Sequence, residues 1–148
     1  MCEGDNGRPV AFVVRRHRVE VVFHHVDMMR VVHNAQYFKW FEKGRFTIVD
    51  EIFEADPGFK EHILTPVVLN FCEYHKPARL GDELVLTTRH SREETWTGRF
   101  RFEHSISNAK SKVELASGRS EITFVDAENF QPMRELPETL WNCYQKIR

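Results

Sequence analysis

One long run of helical periodicity constrains the fold of this 148-residue chain more than any other feature. From Asn34 to about Phe53, apolar residues recur at three- and four-residue spacing, which predicts an amphipathic helix of about five turns. Asn34 is a favoured N-cap residue, and ADPG at 55–58 is a stop signal. The principal stripe consists of Tyr37, Phe41, Gly44, Ile48 and Ile52. At Gly44, the missing side chain is expected to let another backbone approach closely.

Most of the remaining chain alternates as β-strands do. Residues 17–27 (HRVEVVFHHVD) predict a strand ahead of the helix, and four more strands are predicted at 64–76, 82–90, 97–107 and 112–125. The connections at 77–81, 92–96 and 108–111 are short and polar, as hairpins require. Gly118 predicts a bulge. A short closing helix is predicted within 135–148, with Pro137 in its first turn.

This order of elements favours an α+β fold in which a single antiparallel sheet wraps around one long helix. No repeat, low-complexity tract or linker divides the chain, so a single domain over residues 1–148 is expected, with 1–12 as a loose tail. Hydrophobic residues make up 41% of the sequence, including 12 Phe, which is enough to bury a core.

Charge and cysteine content exclude several classes of protein. Lysine and arginine number 21 against 22 acidic residues, so no global field favours nucleic acid or an anionic membrane. The apolar runs are too short for a transmembrane helix, and the N-terminus does not follow the secretory pattern, so a cytoplasmic protein is expected. Cys2, Cys72 and Cys143 form no C-x-x-C pair, and the eight histidines show no zinc-helix spacing. Neither a disulfide framework nor a metal site is therefore expected.

Asp27 permits two interpretations. It ends the predicted first strand, seven residues before Asn34, where the helix leaves unpaired N–H groups and a partial positive charge. A carboxylate facing amide donors is the minimum equipment for attack on an activated carbonyl. Aspartate is also a common turn residue, and Asp27 could simply hydrogen-bond its own loop. Spacing alone favours the structural role.

A family resemblance bears on the choice between these two roles. The stretch FHHVDMMRVVHNAQYFKWFEKGRF (23–46) resembles the segment shared by the 4-hydroxybenzoyl-CoA thioesterase-like branch of the hotdog-fold acyl-CoA thioesterases. Its usual form is an aromatic strand, D-x-x-G-x-V-x-(H or N)-x-x-Y and an aromatic helix. The stretches YHKPARLGDELVLTT (74–88) and ASGRSEITFVDAENFQPMRELPETL (116–140) are similar to later parts of that family. The matching positions in the first stretch are Asp27, Val32, Asn34, Tyr37, Trp40, Phe41, Glu42 and Arg45.

The resemblance implies a hotdog fold and hydrolysis of an acyl-CoA, or of an acyl-carrier-protein thioester. It implies that Asp27 is the catalytic carboxylate, as nucleophile or general base, and that the backbone N–H near Asn34 binds the thioester oxygen. His33 and Tyr37 would shape the substrate pocket. It also implies a homodimer or a dimer of dimers, with no metal or prosthetic group.

One departure from the family pattern is Arg30, which stands where the family usually has glycine. A positive φ at this position would strain arginine. The bulky sequence MMR could narrow the acyl pocket or place a cation near the thioester. A non-catalytic acyl-CoA-binding protein is therefore the alternative, and a hotdog dehydratase is a weaker one. Cations expected to be available for the phosphates of coenzyme A are Lys76, Arg79, Arg89, Arg92, Arg99 and Arg119.

Overall fold

The computed structural model describes residues 12–92 and 98–148. The longer strands are β1 (Val13–Glu20), β3 (Val67–Tyr74), β4 (Glu83–His90), β5 (Arg99–Asn108) and β6 (Glu114–Thr123), and the two-residue strands are β2 (Ile63–Leu64) and β7 (Val125–Asp126). The helices are α1 (Asn34–Glu54), α2 (Gly58–His62) and α3 (Glu138–Lys146). The five longer strands form one antiparallel sheet in the order β1-β4-β5-β6-β3, and β2 pairs with β7.

Helix α1 packs across one face of this sheet, as the sequence predicts. Strict alternation in β5 buries Phe100, Phe102 and Ile106 on the helix side and leaves Arg99 and Arg101 on the other side. The core continues along both halves of α1 and is closed at one end by α3, whose Leu140, Cys143 and Tyr144 are buried. The predicted arrangement of one sheet around one long helix is confirmed. No helix within the described ranges is long and apolar enough to cross a membrane.

Two glycines lie where helix α1 and the sheet pack closely against each other. A Cβ on Gly44 would lie 2.0 Å from Thr88 Oγ1, so the close neighbour of this glycine is a side chain of β4 and the prediction of a neighbouring backbone is wrong. The prediction of a bulge at Gly118 is wrong, since the register shifts lie between residues 67 and 69 and between 106 and 107. A Cβ on Gly118 would lie 2.3 Å from Phe71 O and 2.6 Å from the ring of Phe41. Packing under α1 therefore explains both glycines.

The first strand differs from its predicted bounds. It begins at Val13 and ends at Glu20, and a turn of 3₁₀ helix follows at Phe23–His25. In this turn, His25 N–H donates to Val22 O at 2.9 Å and His25 Nδ1 accepts from Val22 N at 3.2 Å. These local bonds replace the strand ladder. The predicted tail, residues 1–12, falls outside the described ranges except at residue 12.

The connection at 77–81 is not a hairpin, contrary to the prediction. Strand β3 pairs with β6 at one edge of the sheet, whereas β4 lies next to β1 at the other edge. The chain therefore crosses the sheet between β3 and β4. The β4–β5 and β5–β6 pairs are adjacent and antiparallel as predicted, although 93–97 of the first connection lie outside the described residues.

His104 is a buried polar residue at the centre of the sheet. Its side chain is 3% exposed, and its ring stacks on Phe41 with the centroids 4.4 Å apart. Nδ1 lies 2.9 Å from Thr88 Oγ1, and Nε2 lies 2.9 Å from Ser120 Oγ. Burial, with a smaller contribution from Arg45, lowers the pKa of His104 to about 3. The residue is thus a neutral, hydrogen-bonded member of the core.

This environment predicts a pH-dependent stability. Between its lowered pKa of about 3 and the ordinary 6.5, His104 binds a proton in the unfolded chain but not in the folded one. The contribution of His104 to the free energy of unfolding is complete above pH 6.5. As the pH falls below this value, the free energy of unfolding decreases by about 1 kcal/mol per pH unit. Urea unfolding from pH 7 to pH 4.5 should show this slope, and His104→Gln should lack it.

The matched control for this experiment is His24→Gln, because His24 is exposed. Carboxylates titrate in all three proteins, so the informative quantity is the difference in slope between wild type and each variant. Equal slopes for wild type and His104→Gln would contradict the prediction.

Candidate active site

The loop that contains Asp27 is closed by its own hydrogen bonds. Asp27 N–H donates to Val31 O at 3.0 Å, and Arg30 N–H donates to Asp27 O at 3.0 Å. The Asp27 side chain joins this turn, since Oδ1 accepts from Met29 N at 2.8 Å. Among the described residues, Oδ2 has no hydrogen-bond partner. One carboxylate oxygen therefore holds the turn, and the other is available.

Arg30 adopts the strained conformation that the sequence suggests. Its φ is +62°, in the left-handed region where glycine is favoured. A residue with a Cβ costs about 1 kcal/mol or more in this conformation. The loop thus keeps the backbone shape expected of a glycine, with an exposed arginine side chain attached to it.

The N-cap of α1 lies one residue earlier in the chain than predicted. The N-cap is His33, with φ −61° and ψ 137°, and Asn34 is the first helical residue, so the prediction of Asn34 as N-cap is wrong. His33 Nδ1 accepts from Ala35 N at 3.1 Å, and His33 O accepts from Gln36 N at 2.9 Å. No acceptor within the described residues takes the Asn34 N–H. This amide therefore lies free at the positive end of a 21-residue helix.

A cavity of about 460 Å³ brings the acid and the helix start together. Asp27, His33, Asn34 and Tyr37, four of the five predicted site residues, line it. Strand β3 and the turn after it contribute Tyr74, His75 and Lys76. We call this space the first cavity.

The fifth predicted residue, Arg30, lines a different space. This second cavity has a volume of about 590 Å³ and shares Asp27 with the first. Its other lining residues are Phe23, Val26, Met28, Arg79 and Leu80. Asp27 thus stands between two cavities, one at the helix start and one beside two arginines.

Tyr37 forms the fixed wall of the first cavity. Its side chain is 2% exposed, and its ring contacts those of Trp40 and Tyr74 edge to face, with centroids 5.3 and 5.0 Å away. Burial raises the pKa of Tyr37, and the backbone of Ala78 acts in the opposite direction. Tyr37 therefore presents a neutral aromatic surface.

Tyr74, which the sequence did not single out, ties β3 to the helix start. Its hydroxyl donates to Asn34 O at 3.0 Å. Burial, with smaller effects from Cys72 and Tyr37, raises the pKa of Tyr74 to about 12, so the hydroxyl keeps its proton. The available signal was a tyrosine near the end of a predicted strand, three residues before the family-like P-A-R turn.

In the described part of the chain, no three His, Cys, Asp or Glu side chains lie close enough together to hold a metal ion. Cys143 is buried, and Cys72 is partly buried. Burial raises the pKa of the Cys72 thiol, which makes it a poor nucleophile at neutral pH.

Comparison with known proteins gives related sequences and folds. The family model of the thioesterase-like superfamily matches residues 21–140. A Bacillus subtilis protein, YneP, named provisionally as an acyl-CoA thioesterase, is 28% identical over 123 residues, which are 82% of this chain and 86% of YneP.

Two solved structures show the same fold. The 1,4-dihydroxy-2-naphthoyl-CoA thioesterase Slr0204 from Synechocystis superposes with a TM-score of 0.74 at 17% identity, covering 89% of this chain and 96% of its own. A DHNA-CoA thioesterase from Staphylococcus aureus gives 0.76 at 21% identity, covering 90% of both chains. The hotdog architecture implied by the resemblance is confirmed. Together with the family match over most of its length, this shows that the chain belongs to the thioesterase-like superfamily.

Proposed function

We propose that this protein is an acyl-CoA thioesterase that hydrolyses an acyl or aroyl thioester to the free acid and CoA. The observation that carries the proposal is the placement of the Asp27 carboxylate and the free Asn34 amide on one cavity. The provisional name of YneP supports the acyl-CoA class, and the two solved neighbours are named for aromatic CoA thioesters. The aromatic walls of the first cavity, Tyr37 and Tyr74, suit an aroyl group as well as an aliphatic one.

The Asn34 N–H is the group proposed to activate the thioester. In this pose the carbonyl oxygen accepts from Asn34 N–H, and the dipole of α1 adds positive potential at the same point. As the carbonyl carbon becomes tetrahedral, the oxygen gains negative charge and the hydrogen bond strengthens. Such a donor contributes more to the transition state than to the bound substrate, which is the condition for raising the rate.

Asp27 Oδ2 is the group proposed to drive the attack. The hydrogen bond from Met29 N–H to Oδ1 fixes the side chain, so Oδ2 has a defined position. Oδ2 either attacks the carbonyl carbon, giving a mixed anhydride that water then hydrolyses, or removes a proton from an attacking water. In both routes the carbon–sulfur bond breaks, the sulfur leaves with the electron pair as a thiolate, and water supplies the oxygen of the product acid. The proton from that water passes to the thiolate or to solvent, which leaves Asp27 as a carboxylate again.

Tyr74 is proposed as a positioning residue. Its hydrogen bond to Asn34 O holds the same peptide segment whose N–H would bind the oxyanion. The residue acts through the helix start and does not transfer a proton, since its pKa is raised to about 12.

A homodimer is proposed from the exposed edge of the sheet. Strand β3 is an edge strand, and Val67, Val68, Phe71 and Tyr74 on it are 41–50% exposed. An apolar edge with unpaired backbone groups favours pairing with another strand. Antiparallel pairing of two β3 strands would extend the sheet across both copies and place a partner strand beside each first cavity. A dimer of dimers would require a further interface.

Asp27→Asn and Asp27→Ala test the proposed catalytic role of the Asp27 carboxylate separately from its role in the turn. Asparagine keeps Oδ1 as an acceptor for Met29 N but removes the charge, whereas alanine removes both. We expect both variants to lower kcat at least about a hundredfold in a thiol-release assay over a panel of acyl- and aroyl-CoAs. Circular dichroism and thermal unfolding provide the control for folding.

Two results would contradict the assignment. Wild-type turnover by Asp27→Asn, with loss only in Asp27→Ala, would reduce Asp27 to a turn residue. Binding of acyl-CoA by the wild type without release of CoA from any thioester would favour the non-catalytic alternative.

Tyr74→Phe tests the positioning role. Removing the hydroxyl deletes one hydrogen bond to Asn34 O, and we expect kcat to fall up to about tenfold while KM changes little. The matched control is Tyr144→Phe, a tyrosine in α3 outside the first cavity. A purely structural role would lower the unfolding temperature and leave kcat of the folded enzyme intact, which is the contradicting outcome.

Phe71→Asp tests the dimer. A carboxylate on each of two adjoining β3 strands would repel its counterpart, so we expect a shift toward monomer in analytical ultracentrifugation at micromolar concentration. Phe130→Asp is the control, because Phe130 is 60% exposed but lies off this edge. An unchanged assembly of Phe71→Asp would overturn the proposed interface.

A further inference from the structure

We propose that the second cavity binds the phosphate of the phosphopantetheine arm that carries the acyl group, through Arg30 and Arg79. This inference rests on the proposed thioesterase function. It assigns each end of the substrate to one of the two cavities that share Asp27. Coenzyme A and acyl-carrier proteins both carry this arm, so the phosphate next to the pantetheine is the chemistry common to both.

The lining of the second cavity matches such an arm. Arg30 and Arg79 are both exposed, and among the described residues neither guanidinium has a carboxylate within 4.0 Å. An unpaired guanidinium binds phosphate oxygens through a planar set of N–H donors. Phe23, Met28 and Leu80 supply an apolar surface beside the two cations, as the methyl and methylene groups of pantetheine require.

The side chains that line the two cavities indicate which end of the substrate lies in which cavity. The first cavity is lined by the core residues Val32 and Tyr37, which are 5% and 2% exposed, so an acyl group there would pack against apolar core side chains. The rim of the second is open, since Met28 is 100% exposed and Phe23 is 81% exposed. A nucleotide or a carrier protein must extend into solvent. The carrier end therefore belongs to the second cavity and the acyl end to the first.

Most of the other candidate cations are engaged elsewhere. Arg89 forms an ion pair with Glu103, and Arg99 forms one with Glu121. Arg92 lies over the ring of Trp141, and Arg119 lies over that of Phe71. Lys76 lines the first cavity. Of the six cations considered from the sequence, the second cavity takes Arg79.

The backbone conformation of Arg30 independently supports a functional role for its side chain. Glycine would adopt φ +62° without strain, yet the chain holds an arginine whose side chain has no ion-pair partner among the described residues. Strained residues of this kind cluster at functional sites. Restoring glycine is accordingly a mild substitution for the fold, which makes Arg30→Gly a clean probe.

Steady-state kinetics on matched substrates test the proposal. The variants are Arg30→Gly and Arg79→Ala, with Lys110→Ala as the control, because Lys110 is an exposed cation that lines neither cavity. The substrates are one acyl group attached to CoA, to 4′-phosphopantetheine and to N-acetylcysteamine, the last of which has no phosphate. We expect each arginine variant to raise KM about tenfold for the two phosphate-bearing thioesters, with kcat unchanged and no effect on the N-acetylcysteamine thioester.

The comparison between carriers separates the two sources of the phosphate. Equal increases in KM for the CoA and phosphopantetheine thioesters support the shared phosphate, whereas an increase confined to acyl-CoA would overturn it in favour of the nucleotide. Wild-type kcat/KM on acyl-CoA and on acyl-carrier protein then identifies the preferred carrier. Unchanged KM in both arginine variants, equal losses on the phosphate-free thioester, or an equal increase in Lys110→Ala would also overturn the proposal.

A binding measurement separates the proposed phosphate site from the proposed thioesterase activity. If the wild type hydrolyses none of the thioesters, the thioesterase proposal fails, and isothermal titration calorimetry with CoA alone still tests the cavity. Binding weakened about tenfold by Arg30→Gly and Arg79→Ala, but not by Lys110→Ala, would support it. Equal affinities in all variants would overturn it.

Discussion

The contact on which the rest of the structure depends is the one between Gly44 and Thr88. With no side chain on Gly44, α1 approaches β4 so closely that a single added carbon would overlap Thr88 Oγ1. The same Thr88 oxygen bonds His104, and His104 in turn stacks on Phe41 of α1. The depth of the helix in the sheet is thereby fixed at its middle. Because the helix is rigid, its first turn is fixed as well, and the distance from the Asn34 amide to the Asp27 loop follows from packing at the core.

The fold was largely predictable because two periodicities dominate this sequence. The long helix and the alternation of β5 follow from side-chain spacing alone. The predictions of secondary structure were wrong where local hydrogen bonds compete with the periodicity of the side chains. Residues 23–25 alternate like a strand, yet His25 pairs with Val22 in a tight turn. Spacing also carries no information about which strands are neighbours, so the short connection from β3 to β4 suggested a hairpin although the chain crosses the sheet there.

The candidate site was predictable in part. The family-like motif identified Asp27, His33, Asn34 and Tyr37, and these residues line one cavity. The shift of the N-cap from Asn34 to His33 was not predictable, because a histidine caps a helix only in one tautomer and rotamer. Tyr74 was missed because its partner is a backbone carbonyl 40 residues away, and no pattern in the sequence marks such a contact.

The bond between Met29 N and Asp27 Oδ1 has a consequence for conformational entropy. A free aspartate side chain samples several rotamers, and a reaction that needs one of them must restrict it when substrate binds. In this loop the backbone imposes that restriction during folding, before any substrate arrives. Substrate binding then does not have to supply the free energy that orders the carboxylate, which is the general advantage of a preorganised group. The interaction that makes Asp27 look like an ordinary turn residue is thus also what would prepare its second oxygen for the proposed hydrolysis.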